Sequence, residues 1–192
     1  ARKLGVKDEE KLIGRGVHYC AHCDGRFYKG KTVVVVGGGN SAVSDALYLS
    51  RLADKVYLVH RRDSLRAERV YAERLKKASN IEFKWSCEVS ELLFDERLSG
   101  VKLLHRDTGE TETLATDGLF ISIGRKPETE LFSGQLALDE YGYIVAGEDT
   151  ETDVPGVFAA GDVRAKPFRQ IVTATADGAV AAYLAEKYIA SL

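Results

Sequence analysis

The run Thr32-Val33-Val34-Val35-Val36, closed by Gly37-Gly38-Gly39, constrains this chain more than any other feature. A continuous β-branched run without polar alternation suits a strand buried on both faces of a parallel sheet. Asn40 follows as a good helix N-cap, and Ala42, Val43, Ala46, Leu47, Leu49 and Leu52 recur at roughly helical spacing. Lys55 to Val59 is a second short apolar strand. Strand, helix and strand within about 30 residues form a crossover unit, almost always right-handed in a parallel sheet. The class is therefore α/β.

Downstream, a charged stretch from His60 leads to an expected helix over 67–78 and a third parallel-type strand over 81–85. Strand-like pieces at 89–94, 101–105 and 112–115 are separated by Arg97-Leu98-Ser99-Gly100 and Asp107-Thr108-Gly109-Glu110, whose turn chemistry predicts an antiparallel meander. Gly118 to Gly124 reads as another buried strand. Gly124-Arg125-Lys126-Pro127 breaks the pattern as a linker candidate. Beyond it, 143–145 and 157–160 are expected strands and 171–189 a long Ala-rich helix, which composition alone would place in a core.

At 192 residues the chain is long enough for one to two domains. Its formal charge of −2 excludes a global electrostatic trap for nucleic acid or anionic membrane. No apolar run approaches the roughly 18 residues of a membrane span, and the charged opening does not read as a signal peptide. The expectation is a cytoplasmic protein with neither nucleic acid nor membrane as partner. The chain begins at Ala1 and contains no Met, which predicts a processed start or a piece of a longer polypeptide.

Gly37-x-Gly39-x-x-Ala42 sits where a dinucleotide-binding loop must, between a buried strand and a helix start. The first Gly permits the tight turn, the second lets backbone approach a pyrophosphate, and the small third residue allows close helix packing. The pyrophosphate would rest on the helix N-terminus. An NAD site wants an acidic residue at the end of the second strand; this sequence offers His60, Arg61 and Arg62, with Arg66 four residues on. Guanidinium forks match a 2′-phosphate, which predicts NADPH. Residues 51–77 carry nine basic and four acidic side chains, so basicity is concentrated here. Arg69, Arg74, Lys76 and Lys77 are expected on a solvated helix face.

Cys20-Ala21-His22-Cys23-Asp24-Gly25 precedes this unit. Two thiols at C-x-x-C spacing can cycle through a disulfide, and a thiol near a helix N-terminus is more acidic. Asp24 could move the proton that exchange requires. A metal site would enlist His18 and His22, but four ligands within six residues fit a tetrahedron poorly, so no metal is expected. Cys87 reads as a small buried hydrophobe.

Taken in order, C-A-x-C-D-G, V-V-V-V-G-G-G-N-S-A, H-R-R-D-S-L-R-A-E, I-S-I-G-R-K-P-E-T, G-V-F-A-A-G-D-V and R-Q-I-V-T-A resemble the low-molecular-weight thioredoxin reductases. The resemblance implies a Rossmann-like three-layer NADPH-binding domain with a β-meander (1–122), followed by the C-terminal part of an FAD-binding domain (123–192). The N-terminal FAD-binding half, with its own Gly-rich loop, would lie outside this sequence. Gly37, Gly39, Asn40, Ser41, Ala42 and Gly124 would join His60, Arg61, Arg62 and Arg66 around NADPH. Gly161 and Asp162 would hold the flavin's sugar-phosphate chain, and Arg169, Gln170 and Ile171 would lie along its ring. Cys23 would face the flavin, Cys20 would attack thioredoxin or a thioredoxin-like protein, and Asp24 would be the acid. Hinges would fall near the N-terminus and at 124–127, and the intact protein would be a homodimer. His22 stands where these reductases commonly have Thr, which is similar to the alkyl hydroperoxide reductase flavoproteins, although those usually lack the double Arg. A non-catalytic NADPH-binding fragment is the third reading.

Overall fold

The computed structural model describes residues 1–68, 70–71, 73–75 and 77–192 throughout, and of 69, 72 and 76 the backbone alone. Arg69 and Lys76, expected on a solvated face, thus lie outside the described side chains; Arg74 and Lys77 are exposed. The chain divides into two compact units, Ala1–Arg125 and Lys126–Leu192.

The first unit runs β1 (Val17–His18), α1 (Ala21–Asp24), β2 (Thr32–Val36), α2 (Asn40–Leu49), β3 (Lys55–His60), α3 (Arg69–Lys76), β4 (Ile81–Trp85), β5 (Cys87–Phe94), β6 (Leu98–His105), β7 (Thr111–Ala115) and β8 (Gly118–Ile121). Five strands form one parallel sheet in the order β1-β8-β2-β3-β4, and β5-β6-β7 form an antiparallel sheet.

Alternation along β2 explains why its apolar run is continuous. Val33 and Val35 point with Val56, Leu58 and Phe120 into a core closed by Ala42, Val43, Ala46, Leu49 and Leu75 from α2 and α3. Val34 and Val36 point with Val59, Leu119 and Ile121 into a second core closed by Val89, Leu92, Val101, Leu103 and Leu114 from the meander. Both faces of the parallel sheet are therefore dry, as parallel sheets require. The architecture is three-layer α/β: helices, parallel sheet, antiparallel sheet.

Several boundaries differ from the sequence expectation; the helix expected over 67–78 spans Arg69–Lys76, and the strand expected from 89 begins at Cys87. The N-cap of α2 is Gly39, and Asn40 is the first helical residue. Its side chain is diverted to Glu68, accepting that residue's N–H at 2.9 Å and donating to its carboxylate at 3.0 Å. The helix ends at Leu49, short of Leu52, and β8 ends at Ile121, short of Gly124. Leu98, Ser99 and Gly100 belong to β6 and leave Asp95–Arg97 as the turn. Leu98 is claimed by burial, and its N–H donates to the Arg15 carbonyl at 2.9 Å. The edge strand β1 was not anticipated, because two residues carry no periodic signal.

In the second unit, α4 spans Ile171–Ala190. The expected strands at 143–145 and 157–160 are absent; single bridges join Leu138 to Ile144, Ile144 to Arg164 and Glu151 to Phe158. Both apolar runs are short and flanked by turn-forming glycines, Gly142 (φ +86°) and Gly156 (φ +78°), so no ladder propagates. Nor is the Ala-rich helix core: Asp177 is its buried residue and Ile171 is 87% exposed.

Candidate functional site

Parallel pairing brings four chain segments to one edge. Register aligns His18 with Phe120, Ile121 with Val36, and Val36 with Val59, so the carboxyl ends of β1, β8, β2 and β3 lie side by side. That edge of an open α/β sheet is where ligands bind.

Gly37 takes φ +148°, and a Cβ there would lie 2.4 Å from the Ser122 carbonyl oxygen. Any larger residue would push β2 and β8 apart. Gly39 faces open space, so a ligand's phosphates can reach its backbone. Ala42 is fully buried beneath the loop, and Ser41 is exposed on the first turn of α2. A cavity of about 420 Å³ opens beside the loop, lined by Gly37, Gly38, His60, Arg61, Arg66, Ser122 and Gly124 among others. Arg66 is anchored through its N–H to the Gly38 carbonyl at 2.8 Å. Arg62 is exposed nearby but does not line the cavity; its carbonyl accepts from the Ser86 N–H at 3.1 Å. His60 packs against Gly38, and its buried Nε2 has no hydrogen-bond partner among the described residues. Burial, with the Arg66, Arg61 and Arg62 charges, holds its pKa below the usual value. An orphaned ring nitrogen, a loop with one open glycine and two guanidinium groups at one mouth fit a phosphorylated dinucleotide.

Arg2 and Lys3 also line this cavity, and the Arg2 N–H donates to the Gly124 carbonyl at 3.0 Å. Sequence reasoning missed both, because nothing in a charged N-terminal segment says which surface it will cross.

The dithiol stands at the same edge. Cys20 is the N-cap of α1, is disulfide-bonded to Cys23, and its Sγ accepts from the Cys23 N–H at 3.2 Å. Cys20 is half-buried and Cys23 exposed. Asp24, at the other end of α1, lies with Oδ2 3.1 Å from His18 Nδ1, and His18 Nε2 is 2.6 Å from the Tyr28 hydroxyl. His22 stacks on Tyr48 of α2 at 4.4 Å, with Nδ1 3.7 Å from Asp45. Asp45 also accepts from the Ser122 hydroxyl, and burial raises its pKa. Among the described residues no group of three or more His, Cys, Asp or Glu could hold a metal ion. Cys87 is buried, which pushes its thiol pKa up.

In the second unit, Gly161 adopts φ +83° and opens a 3-10 turn, Gly161–Val163, that carries Asp162. The Arg169 guanidinium stacks over Tyr143 at 3.7 Å and donates to the Asp162 and Arg164 carbonyls, each at 3.3 Å. Gln170 caps α4 in a reciprocal box with Thr173, and Ile171 stands in solvent at its first turn. The five residues expected around a flavin thus cluster at the N-terminus of one helix. What fixes them was not anticipated. Buried Asp177 accepts from Arg164 Nη2 at 2.8 Å, Arg164 Nε at 3.2 Å, Lys166 at 2.6 Å and the Gly161 N–H at 2.9 Å. Arg164 in turn donates to the Ala146 and Gly147 carbonyls. These cations hold the Asp177 carboxyl well below the usual carboxylate range, the Arg164 hydrogen bonds most of all.

Comparison with known proteins agrees with this arrangement. Thioredoxin reductases of Listeria innocua and Streptomyces clavuligerus are each 50% identical over all 192 residues, which make up 60% of either relative. The crystal structure of thioredoxin reductase from Streptococcus pyogenes matches with a TM-score of 0.95 at 41% identity, covering 100% of this chain and 63% of that one. Thioredoxin reductase from Giardia duodenalis matches with a TM-score of 0.89 at 38% identity, covering 99% and 63%. The chain therefore spans about three fifths of the length of these relatives. The sequence profile described as pyridine nucleotide-disulphide oxidoreductase matches residues 1–178, across both the Gly-rich loop and the disulfide, and the chain belongs to that family.

Proposed function

We propose that this chain is the pyridine-nucleotide and dithiol portion of an NADPH-dependent flavoprotein disulfide reductase, a thioredoxin reductase. In this reading residues 1–122 bind NADPH and 123–192 complete an FAD-binding domain. The observation that carries it is the shared sheet edge: β1 delivers the disulfide, and β2 and β3 deliver the Gly-rich loop and its arginines, to the same side of one sheet.

NADPH held at the Gly-rich loop would supply a hydride, and a flavin held at Asp162 and Arg169–Ile171 would supply two-electron carrier chemistry for the Cys20–Cys23 disulfide. The remaining work belongs to the chain. Arg61 and Arg66 hold the 2′-phosphate, with Arg62 reinforcing the field, while His60 Nε2 offers a polar atom at the cavity wall. Gly37, Gly39, Asn40, Ser41 and Ala42 bring the first turn of α2 to the pyrophosphate, and Gly124 closes the far side. Asp162 and Arg169–Ile171 hold the flavin. Once the disulfide is reduced, the Cys23 N–H stabilises a Cys20 thiolate. Cys20 attacks the disulfide of thioredoxin or a thioredoxin-like protein, Cys23 resolves the mixed disulfide, and Asp24 moves the proton.

The thioredoxin reading is preferred to the alkyl hydroperoxide reductase flavoprotein. His22, the residue that suggested the latter, is engaged locally by Tyr48 and Asp45, and both Arg61 and Arg62 are present. Among the described residues, no helix is long and apolar enough to cross a membrane. A cytoplasmic homodimer is the form we expect of the intact protein.

Two measurements test the proposal. Calorimetric titration should find NADPH bound more tightly than NADH, and Arg61→Ala with Arg66→Ala should weaken NADPH alone by more than about tenfold. Chemically reduced Cys23→Ser protein should accumulate a mixed disulfide with oxidised thioredoxin through Cys20, whereas Cys20→Ser should not. A preference for NADH, or no exchange with thioredoxin, would refute it; a chain that binds NADPH but never exchanges would be the non-catalytic fragment.

A further inference from the structure

We propose that His18 is a positioning residue that orients the Asp24 carboxylate for the proton transfer completing thiol-disulfide exchange at Cys20 and Cys23. The inference rests on the disulfide-exchange reading above and adds to it a residue outside every motif.

His18 ends β1 two residues before Cys20 and is 8% exposed. Its ring is fixed by stacking on Phe120 at 5.2 Å and an edge contact with Tyr28 at 5.3 Å. Both nitrogens are engaged, Nδ1 by Asp24 Oδ2 at 3.1 Å and Nε2 by the Tyr28 hydroxyl at 2.6 Å. Chemistry selects one tautomer. Burial raises the Tyr28 pKa, so its hydroxyl keeps its proton and can donate. Burial also lowers the His18 pKa, outweighing the opposing effect of Asp24, so the imidazole is neutral near pH 7. A neutral ring carries one proton. With that proton on Nε2, an Nδ1 lone pair would face the Asp24 carboxylate; with it on Nδ1, Tyr28 donates to Nε2 and Nδ1–H donates to Asp24 Oδ2. The second arrangement satisfies every group. A chain from buried Tyr28 through His18 therefore grips one carboxylate oxygen and leaves Oδ1 to accept a proton.

The Cys20 thiolate attacks a disulfide R–S–S–R, forming a Cys20–S–S–R bond and releasing one RS⁻. Asp24 takes the proton from the Cys23 thiol, and the resulting thiolate attacks the Cys20 sulfur, forming Cys20–Cys23 and releasing a second RS⁻. The dithiol loses two electrons and R–S–S–R gains two; the proton leaves Asp24 for a released thiolate or for water. The first attack needs no proton transfer and the second does.

That division supplies the test. In a Cys87→Ser background, the chemically reduced 192-residue chain is mixed with 5,5′-dithiobis(2-nitrobenzoate), and release of the two thionitrobenzoate equivalents is followed by stopped flow. His18→Phe, which keeps an aromatic ring against Phe120, should leave the first release within about twofold and slow the second about tenfold, the scale of one lost charge-assisted hydrogen bond. Tyr28→Phe, which removes only the hydroxyl that sets the tautomer, should slow the same release by a smaller factor. Combined with Asp24→Asn, His18→Phe should add nothing further, because the group it positions is gone. Equal slowing of both releases, additivity with Asp24→Asn, or unchanged kinetics in both variants would overturn the inference while leaving the exchange reading intact. Failure of the unaltered dithiol to release a second equivalent would overturn the exchange reading and this inference with it.

Discussion

Replacing Asp177 by Asn should destabilise the second unit while keeping the residue's size. The carboxylate receives four donors, two from Arg164 and one each from Lys166 and Gly161. Arg164 is itself 4% exposed and also supports the Ala146 and Gly147 carbonyls. An amide has one acceptor oxygen, so at least two of these donors lose their partner and two covered cations lose their counter-charge. Breaking a buried ion pair costs about 3–5 kcal/mol. Asp177 is the buried residue of a helix otherwise in contact with solvent, so its surroundings are more polar than a deep core and the lower end applies. A unit the size of Lys126–Leu192 has roughly 3–10 kcal/mol to lose at ordinary stability per residue. A loss near 3 kcal/mol would lower its melting temperature by roughly 10–20 °C. Hydrogen exchange read by mass spectrometry should show faster exchange across 144–151, 161–166 and the first half of α4, with the Ala1–Arg125 peptides unchanged. The folded Asp177 pKa lies below the unfolded value, so its contribution is complete above about pH 4 and fades as pH falls further. The acid loss should accordingly be smaller in Asp177→Asn. A stability change under about 1 kcal/mol, or a variant with the unaltered protein's acid sensitivity, would show that the network orders the loop without stabilising it.

Gly37→Ala should cost roughly 1–3 kcal/mol of stability and weaken NADPH binding, since the methyl would meet the Ser122 carbonyl in a left-handed backbone; thermal melts and nucleotide titration read both effects. Iodoacetamide mapping of the reduced protein near neutral pH should label Cys20 and Cys23 well before Cys87, whose thiol is buried with its pKa raised. His18 and His60 both have folded pKa values pushed below the unfolded value, chiefly by burial. Between those values the unfolded chain binds the extra protons, so first-unit stability should fall as pH drops below about 6.5, with a shallower decline in His60→Asn.

What the sequence determined by itself was local in origin. Five β-branched residues before three glycines predict a buried parallel strand and a phosphate loop, because both faces of that strand must be dry and a tight turn open to a pyrophosphate needs residues without Cβ. The C-x-x-C spacing likewise places two sulfurs within bonding reach on one short turn. The tertiary structure decided every feature that joins residues distant in sequence. Asn40 has the chemistry of a cap, yet Glu68, 28 residues away, claims its side chain. The runs at 143–145 and 157–160 have strand composition but only single bridging partners. Asp177 looks like a polar interruption in an Ala-rich helix until Arg164 and Lys166 fold over it. His18 enters the sequence reading only as a disfavoured metal ligand, until β1 pairs with β8 and sets its ring between Phe120 and Tyr28. Periodicity and spacing record what a residue does within one turn or one strand. The charge that faces it across the fold is fixed only when burial brings the segments together and leaves each polar atom to find a partner.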